Sequence, residues 1–200
     1  MPAGVTFDER MDGFLSPSAQ AAAERDDYRA AYRQGRQAGG GCHFEATMLM
    51  QDIASYVRDP QHRAKMTGTF HWAPIGQADM RDGEFQLYVK NPQTGIREMR
   101  YRFSFDGPGG EPLTFVGVKW MKPKMRINTW APSTTLYSHI ERADGSTAWS
   151  GILTIGVVET LKLFRSVRPV GTSDRREGKK AVRAFNSFFM REQLALLREG

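Results

Sequence analysis

Between Cys42 and Ile155 the apolar residues recur at every second position, and that period commits the middle of the chain to strands. In Arg97–Phe105 the residues Met99, Tyr101, Phe103 and Phe105 fall on one face, opposite Glu98, Arg100, Arg102 and Ser104. Only an extended chain with one buried face sorts side chains in this way. Phe44, Ala46, Met48 and Met50 alternate with His43, Glu45, Thr47 and Leu49, and Phe85, Leu87 and Val89 share a face. Further segments at His62–Trp72, Leu113–Met121, Thr134–Glu141 and Thr147–Ile155 bring the expected number of strands to about seven. The connections carry turn chemistry: Asp82-Gly83, Asn91-Pro92 to Gly95, Asp106-Gly107-Pro108-Gly109-Gly110 and Ala143-Asp144-Gly145. No helical crossover separates these strands, so they pair antiparallel. A meander of this size closes into a barrel, which removes its edges, or wraps as an open sheet around one helix.

Helical patterns flank the β region. Ser16-Pro17 reads as an N-cap and first helical residue, Ser18 to Gln34 is rich in good helix formers, and Gly35 with Gly39 to Gly41 ends the run. A helical turn is expected at Asp52–Arg58, closed by Asp59-Pro60. Val157, Leu161 and Phe164 have helical spacing within 157–167. From Asp174, paired with Glu177 as a capping signal, the stripe of Ala181, Val182, Phe185, Phe188, Phe189 and Leu196 predicts a helix packed on the barrel or across its mouth. The expected layout is an N-terminal helical extension over 1–41, then a single β-barrel domain over 42–200 that includes helices 157–167 and 174–198. The fold class is mainly β, a lipocalin- or calycin-like barrel with flanking helices.

Composition narrows the function. The chain has 200 residues and a net charge of +6. Eight basic residues against two acids between Lys162 and Arg183 account for all of that charge. The barrel region is charge-balanced, so nucleic acid is not the expected partner; no aromatic interleaving or reader fold accompanies the basic segment. Arg165, Arg168, Arg175, Arg176, Lys179 and Lys180 instead read as a docking surface for an anionic membrane, a nucleotide or an acidic partner, or as a solvated face. Arg175 and Arg176 fall in the first turn of the last helix, where the macrodipole disfavours cations. The single cysteine, Cys42, excludes a disulfide framework and any cysteine-cluster metal site. With no secretory pattern at the N-terminus, it leads to a cytoplasmic expectation.

No nucleotide-binding, hydrolase-elbow or zinc-protease motif occurs. His43, His62, His71 and His139 lack metal-ligand spacing, and no metal or cofactor is expected. Three side chains are candidates for catalysis. His139 shares a strand face with Thr135, Tyr137 and Glu141, and would serve as a general base oriented by Glu141 or by a neighbouring strand if that face lines a cavity. Lys119 lies among Phe115, Gly117 and Met121, where desolvation would suit it to an anionic head group or to proton transfer. Glu45 is the third. Tyr88, Tyr101, Trp120, Trp130, Tyr137 and Trp149, with Lys119 and His139 as polar anchors, are the candidate walls of an apolar ligand cavity. Plain core packing accounts for the same aromatic residues.

Several strings, in order over most of the chain, resemble the β-rich domain fused to bacterial glucose–methanol–choline oxidoreductases of the cholesterol-oxidase type and its stand-alone relatives. They are Phe7-Asp8-Glu9-Arg10-Met11-Asp12-Gly13-Phe14, Asp59-Pro60-Gln61-His62, Met66-Thr67-Gly68-Thr69, Met99-Arg100-Tyr101, Gly117-Val118-Lys119, Trp130 with Thr134-Thr135-Leu136-Tyr137, and Phe188-Phe189. The relatives carry an Asp before the Thr run, whereas Asn128-Thr129-Trp130-Ala131-Pro132-Ser133 holds no acid here. The resemblance implies a place in sterol, lipid or other hydrophobic-substrate metabolism beside a flavin-dependent oxidoreductase partner. It transfers no catalytic residue.

Three readings follow. The first is a binding or accessory module that holds a sterol-, lipid- or polyketide-like molecule. The second is a cofactor-independent isomerase, cyclase or hydrolase using the same cavity. The third is an interaction protein that docks through its basic C-terminal segment. Whether the chain is an enzyme, and its oligomeric state, stay open at this level.

Overall fold

The computed structural model describes residues 2–17, 25–121 and 134–198. Eight antiparallel strands close into a barrel of the lipocalin-like kind. In order around the wall they are β1 (Gly4–Pro17), β2 (Gly41–Met50), β3 (Arg63–Trp72), β5 (Arg81–Lys90), β6 (Arg97–Asp106), β7 (Pro112–Met121), β8 (Thr135–Arg142) and β9 (Thr147–Thr154). A short β4 (Gly76–Asp79) pairs antiparallel with the end of β3, and β10 (Arg168–Val170) pairs with the start of β1. β1 lies along β2 from Val5 to Phe14 and along β9 from Asp12 to Pro17.

β1 is therefore the strand that closes the barrel, and residues 1–41 are not a helical extension. Val5, Phe7, Met11 and Leu15 do alternate inward and are buried, but Glu9 and Gly13 occupy the remaining inward positions and interrupt the apolar pattern. Ser16 and Pro17 end this strand instead of opening a helix. The helix described next, α1 (Arg25–Gln37), runs through Gly35 and ends three residues beyond the expected Gln34, and residues 18–24 of the predicted span lie outside the described residues. The closing seam demands glycine on both sides. A Cβ at Gly13 would stand 2.0 Å from the Ile152 carbonyl oxygen, and one at Gly151 would stand 2.0 Å from that of Phe14. Either strand would have to move away to admit a side chain.

The interior has two halves. Toward the β6–β7 turn it is a solid aromatic block. Phe103 stacks on Phe115 at 4.7 Å, Phe70 meets Phe105 at 5.0 Å edge to face, and Trp72 meets Trp149 at 4.9 Å. These offset and T-shaped geometries are the ones ring quadrupoles favour. At the opposite end the barrel is capped by helices. α2 (Ile53–Arg58) forms as expected, with Asp52 as its N-cap accepting from the Ala54 and Ser55 amides. α4 (Arg175–Arg198) lays Phe185 on Phe7 at 5.8 Å, and sets Phe188 against His62 at 4.7 Å and Tyr56 at 5.8 Å. Asp174 accepts the Arg176 amide at 2.7 Å, so the Asp174 half of the expected capping pair is present, whereas the Asp174 amide donates to Thr172 Oγ1 and Glu177 is engaged with Lys180. Arg97 pairs with Glu192, and the Gln193 amide donates to the Tyr88 hydroxyl. A bulge between Gln86 and Val89 breaks the alternation expected of Phe85, Leu87 and Val89. It holds Tyr88 at a φ of 57° and turns its ring toward α4.

α1 lies on the outer wall. Tyr28 packs on Tyr137 at 5.5 Å and on Trp120 at 6.4 Å, and Tyr32 meets Phe14. α3 (Val157–Ser166) follows β9 and leads into β10. Arg168 of β10 donates to Asp8 at 2.7 Å, and Thr47 Oγ1 donates to the same carboxylate at 2.8 Å. The Arg168 guanidinium, with help from Thr47, holds the Asp8 carboxyl below its ordinary range. A carboxylate lowered in this way contributes its full stabilisation at neutral pH and loses it as the pH falls through the lowered value. The gap in melting temperature between the wild type and Asp8→Asn is therefore expected to be widest near neutrality and to narrow as the pH falls below the ordinary carboxylate range. Thermal melts across that range test this, and a gap independent of pH would refute the pairing.

Candidate functional site

The interior of the capped half contains three polar groups in contact. Glu9 projects inward from β1, Tyr101 from β6 and Lys119 from β7. β1 and β6 stand on opposite sides of an eight-stranded circle, so Glu9 reaches across the lumen. Lys119 Nζ donates to Glu9 Oε1 at 2.8 Å, and the Tyr101 hydroxyl donates to Glu9 Oε2 at 3.0 Å and Oε1 at 3.3 Å. The ammonium also lies 4.9 Å from the Tyr101 ring centroid, within cation–π range. Glu9 is 5%, Tyr101 1% and Lys119 2% exposed. Burial, and then the neighbouring Glu9 charge, push the Tyr101 hydroxyl well above its ordinary range, so it remains a donor. Lys119 has three N–H donors, and Glu9 is its one hydrogen-bonding partner among the described residues.

Methionines surround this group. Met99 is the register neighbour of Lys119, Met121 is the next inward residue on β7, and Met11 is the next inward residue on β1. Met48 and Met66 oppose each other on β2 and β3. Buried, unbranched and polarizable, these side chains adapt to irregular shapes.

The structure separates the other candidates from this site. His139 and Tyr137 face the outside of the wall beneath α1, so that face does not line the interior. His139 Nε2 lies 3.0 Å from Glu141 Oε1, one of the two orienting partners considered from the sequence, and its Nδ1 lies 3.4 Å from the Tyr28 hydroxyl. Arg102 joins Glu141 at 3.3 Å. This chain ties α1 to the barrel. Burial raises the Tyr28 hydroxyl pKa, which opposes its use as a nucleophile. Trp120 belongs to the same outer cluster. Glu45 is exposed and ion-paired with Arg10 at 2.5 Å. Tyr88 sits under α4, while Trp149 closes the aromatic half, with Arg142 over its ring at 5.6 Å. Trp130 lies outside the described residues.

The six basic candidates are all exposed and are spread over three elements. Arg165 is on α3, Arg168 is engaged with Asp8, and Arg175, Arg176, Lys179 and Lys180 occupy the first turns of α4, with Lys180 held by Glu177 at 3.3 Å. Two outer concavities, one of about 610 Å³ at Pro74–Arg81 and Asp106–Gly109 and one of about 410 Å³ beside Gly13 and His43, include none of the candidate residues.

Sequence reasoning missed Glu9, the hub of the buried site. The alternation of Val5, Phe7, Met11 and Leu15 was the available signal. Among the described residues no three His, Cys, Asp or Glu side chains are grouped to hold a metal ion, and no helix is long and apolar enough to cross a membrane. Comparisons with protein-family models, with curated proteins and with solved structures find no match for this chain.

Proposed function

We propose that the barrel binds an apolar small molecule bearing an anionic or hydrogen-bond-accepting head, with the head on Lys119 and the body in the methionine-lined half beneath α4. The observation that carries this reading is the buried Lys119 ammonium beside Glu9 and Tyr101: two of the ammonium's donors meet no acceptor among the described residues. A buried ion pair of this kind is weak support for folding, because desolvation offsets the attraction unless every remaining donor is satisfied. A ligand head group would supply the missing acceptors. The methionine side chains can repack to admit its body, whereas the opposite half is closed by ring-on-ring contacts. α4 is the movable element of this scheme. It caps the site with side chains, Phe185 and Phe188 among them, and is not part of the hydrogen-bonded wall.

Two measurements test the proposal. Native mass spectrometry of freshly purified protein should show a retained lipid-like mass. Titration with cis-parinaric acid, a fluorescent fatty acid, should saturate at one molecule per chain. Binding should weaken at least ~tenfold in the Glu9→Gln/Lys119→Met double variant, about 1.4 kcal/mol. Equal affinity in wild type and double variant, with both folded, would remove Lys119 as the anchor. The lack of any retained mass or saturable binding would count against the barrel as a container.

A further inference from the structure

Every exposed large apolar side chain among the described residues lies on one of two helices. Val157, Val158, Leu161 and Phe164 are on α3, and Met190 and Leu194 are on α4. Their exposures run from 46% to 78%, whereas scattered surface apolar residues ordinarily occur around the whole molecule. The two helices touch through Phe164 and Phe189, whose rings are 6.1 Å apart. α3 has no buried residue at all. At 100° per residue, Val157, Leu161 and Phe164 form one arc of α3, and Val158, Arg165 and Lys162 continue it. The half-buried Glu159, Leu163 and Ser166 lie on the other side. The Ser166 hydroxyl donates to the Leu163 carbonyl at 2.7 Å and accepts the Asp8 amide of β1 at 2.8 Å. The helix thus rests on the barrel by its more polar side and turns its apolar side outward. This reverses the amphipathicity of an ordinary surface helix.

We infer that this face of α3 and α4 docks on an anionic lipid bilayer. An outward apolar arc carrying cations matches a helix lying in the interfacial plane, with its apolar side chains among the acyl chains and its cations at the head groups. Charge selects a membrane over an uncharged apolar partner. Arg165 has no ion-pair partner among the described residues, Lys162 holds the acid at the arc's edge, Glu159, and Arg191, paired with the mostly buried Glu192 at 3.4 Å, flanks Met190 on α4. The face is at the capped end of the barrel, so a docked protein would present its α4 cap to the membrane. This inference does not depend on the barrel holding a ligand.

Flotation with phosphatidylcholine vesicles containing about 30% phosphatidylserine tests it. The wild type should float with these vesicles, should float at least ~tenfold less with pure phosphatidylcholine, and should be released as salt rises toward about 0.5 M. Val157→Ser/Val158→Ser/Leu161→Ser and Lys162→Glu/Arg165→Glu should each lose flotation with unchanged melting, since all five side chains are exposed. Sedimentation velocity of the same proteins provides the alternative outcome. If the wild type does not float but self-associates, and the triple serine variant is monomeric, the face joins two copies of this chain and the membrane assignment is overturned. Flotation that persists in both variants overturns it as well.

Discussion

Replacing Lys119 by methionine is expected to cost the fold about 3–5 kcal/mol, because it leaves the Glu9 carboxylate in the barrel interior without its counter-ion. Among the described residues Glu9 would then have the Tyr101 hydroxyl as its remaining hydrogen-bond donor. The double variant Glu9→Gln/Lys119→Met should recover most of that loss, since an uncharged amide beside Tyr101 and a methionine among methionines remove both desolvation penalties together. Urea denaturation of the wild type, the two single variants and the double variant measures the coupling directly. A Lys119→Met protein as stable as the wild type would mean that the pair is not a desolvated ion pair. The same cycle bears on function. If the uncharged interior is as stable as the charged one, the ion pair is not required for folding, which is the physical ground for assigning it a ligand.

The second large effect belongs to the aromatic half. Phe115 is fully buried and packs against Phe44, Phe70 and Phe103. Phe115→Ala is expected to cost about 3–5 kcal/mol, since the strands around it are hydrogen-bonded on both sides and cannot collapse into the void. Met66→Leu, in the capped half, should cost less than about 1.5 kcal/mol, as volume-conserving exchanges of flexible side chains do. The contrast between the two is the informative quantity. Comparable costs at the two positions would refute a division of the barrel into a rigid half and an adaptable one.

Much of the architecture was legible in the residues. The alternation at Met99–Phe105, the turn residues between strands and the Phe185–Phe188–Leu196 stripe each report a local period, and local periods survive into the fold because neighbouring side chains separate by geometry alone. β1 escaped because two of its inward positions are Glu9 and Gly13, which do not register as apolar. Their fitness for the interior depends on Lys119, 110 residues away, and on the β9 backbone pressed against Gly13. His139 shows a different limit. Its pairing with Glu141 two residues on was readable, since both lie on one strand face, but which side of the wall that face occupies was not.

The amino-acid sequence by itself determined the strand periods, the antiparallel pairing, the helix that caps the barrel and the placement of the net charge. Those properties follow from residues close together along the chain. Only the tertiary structure decided that β1 closes the wall, that Glu9, Tyr101 and Lys119 meet in the lumen, that His139 is outside it, and that α3 turns its apolar side to the exterior. Each of these depends on which face of an element meets a partner distant in sequence, and a period fixes two faces without saying which of them is inside.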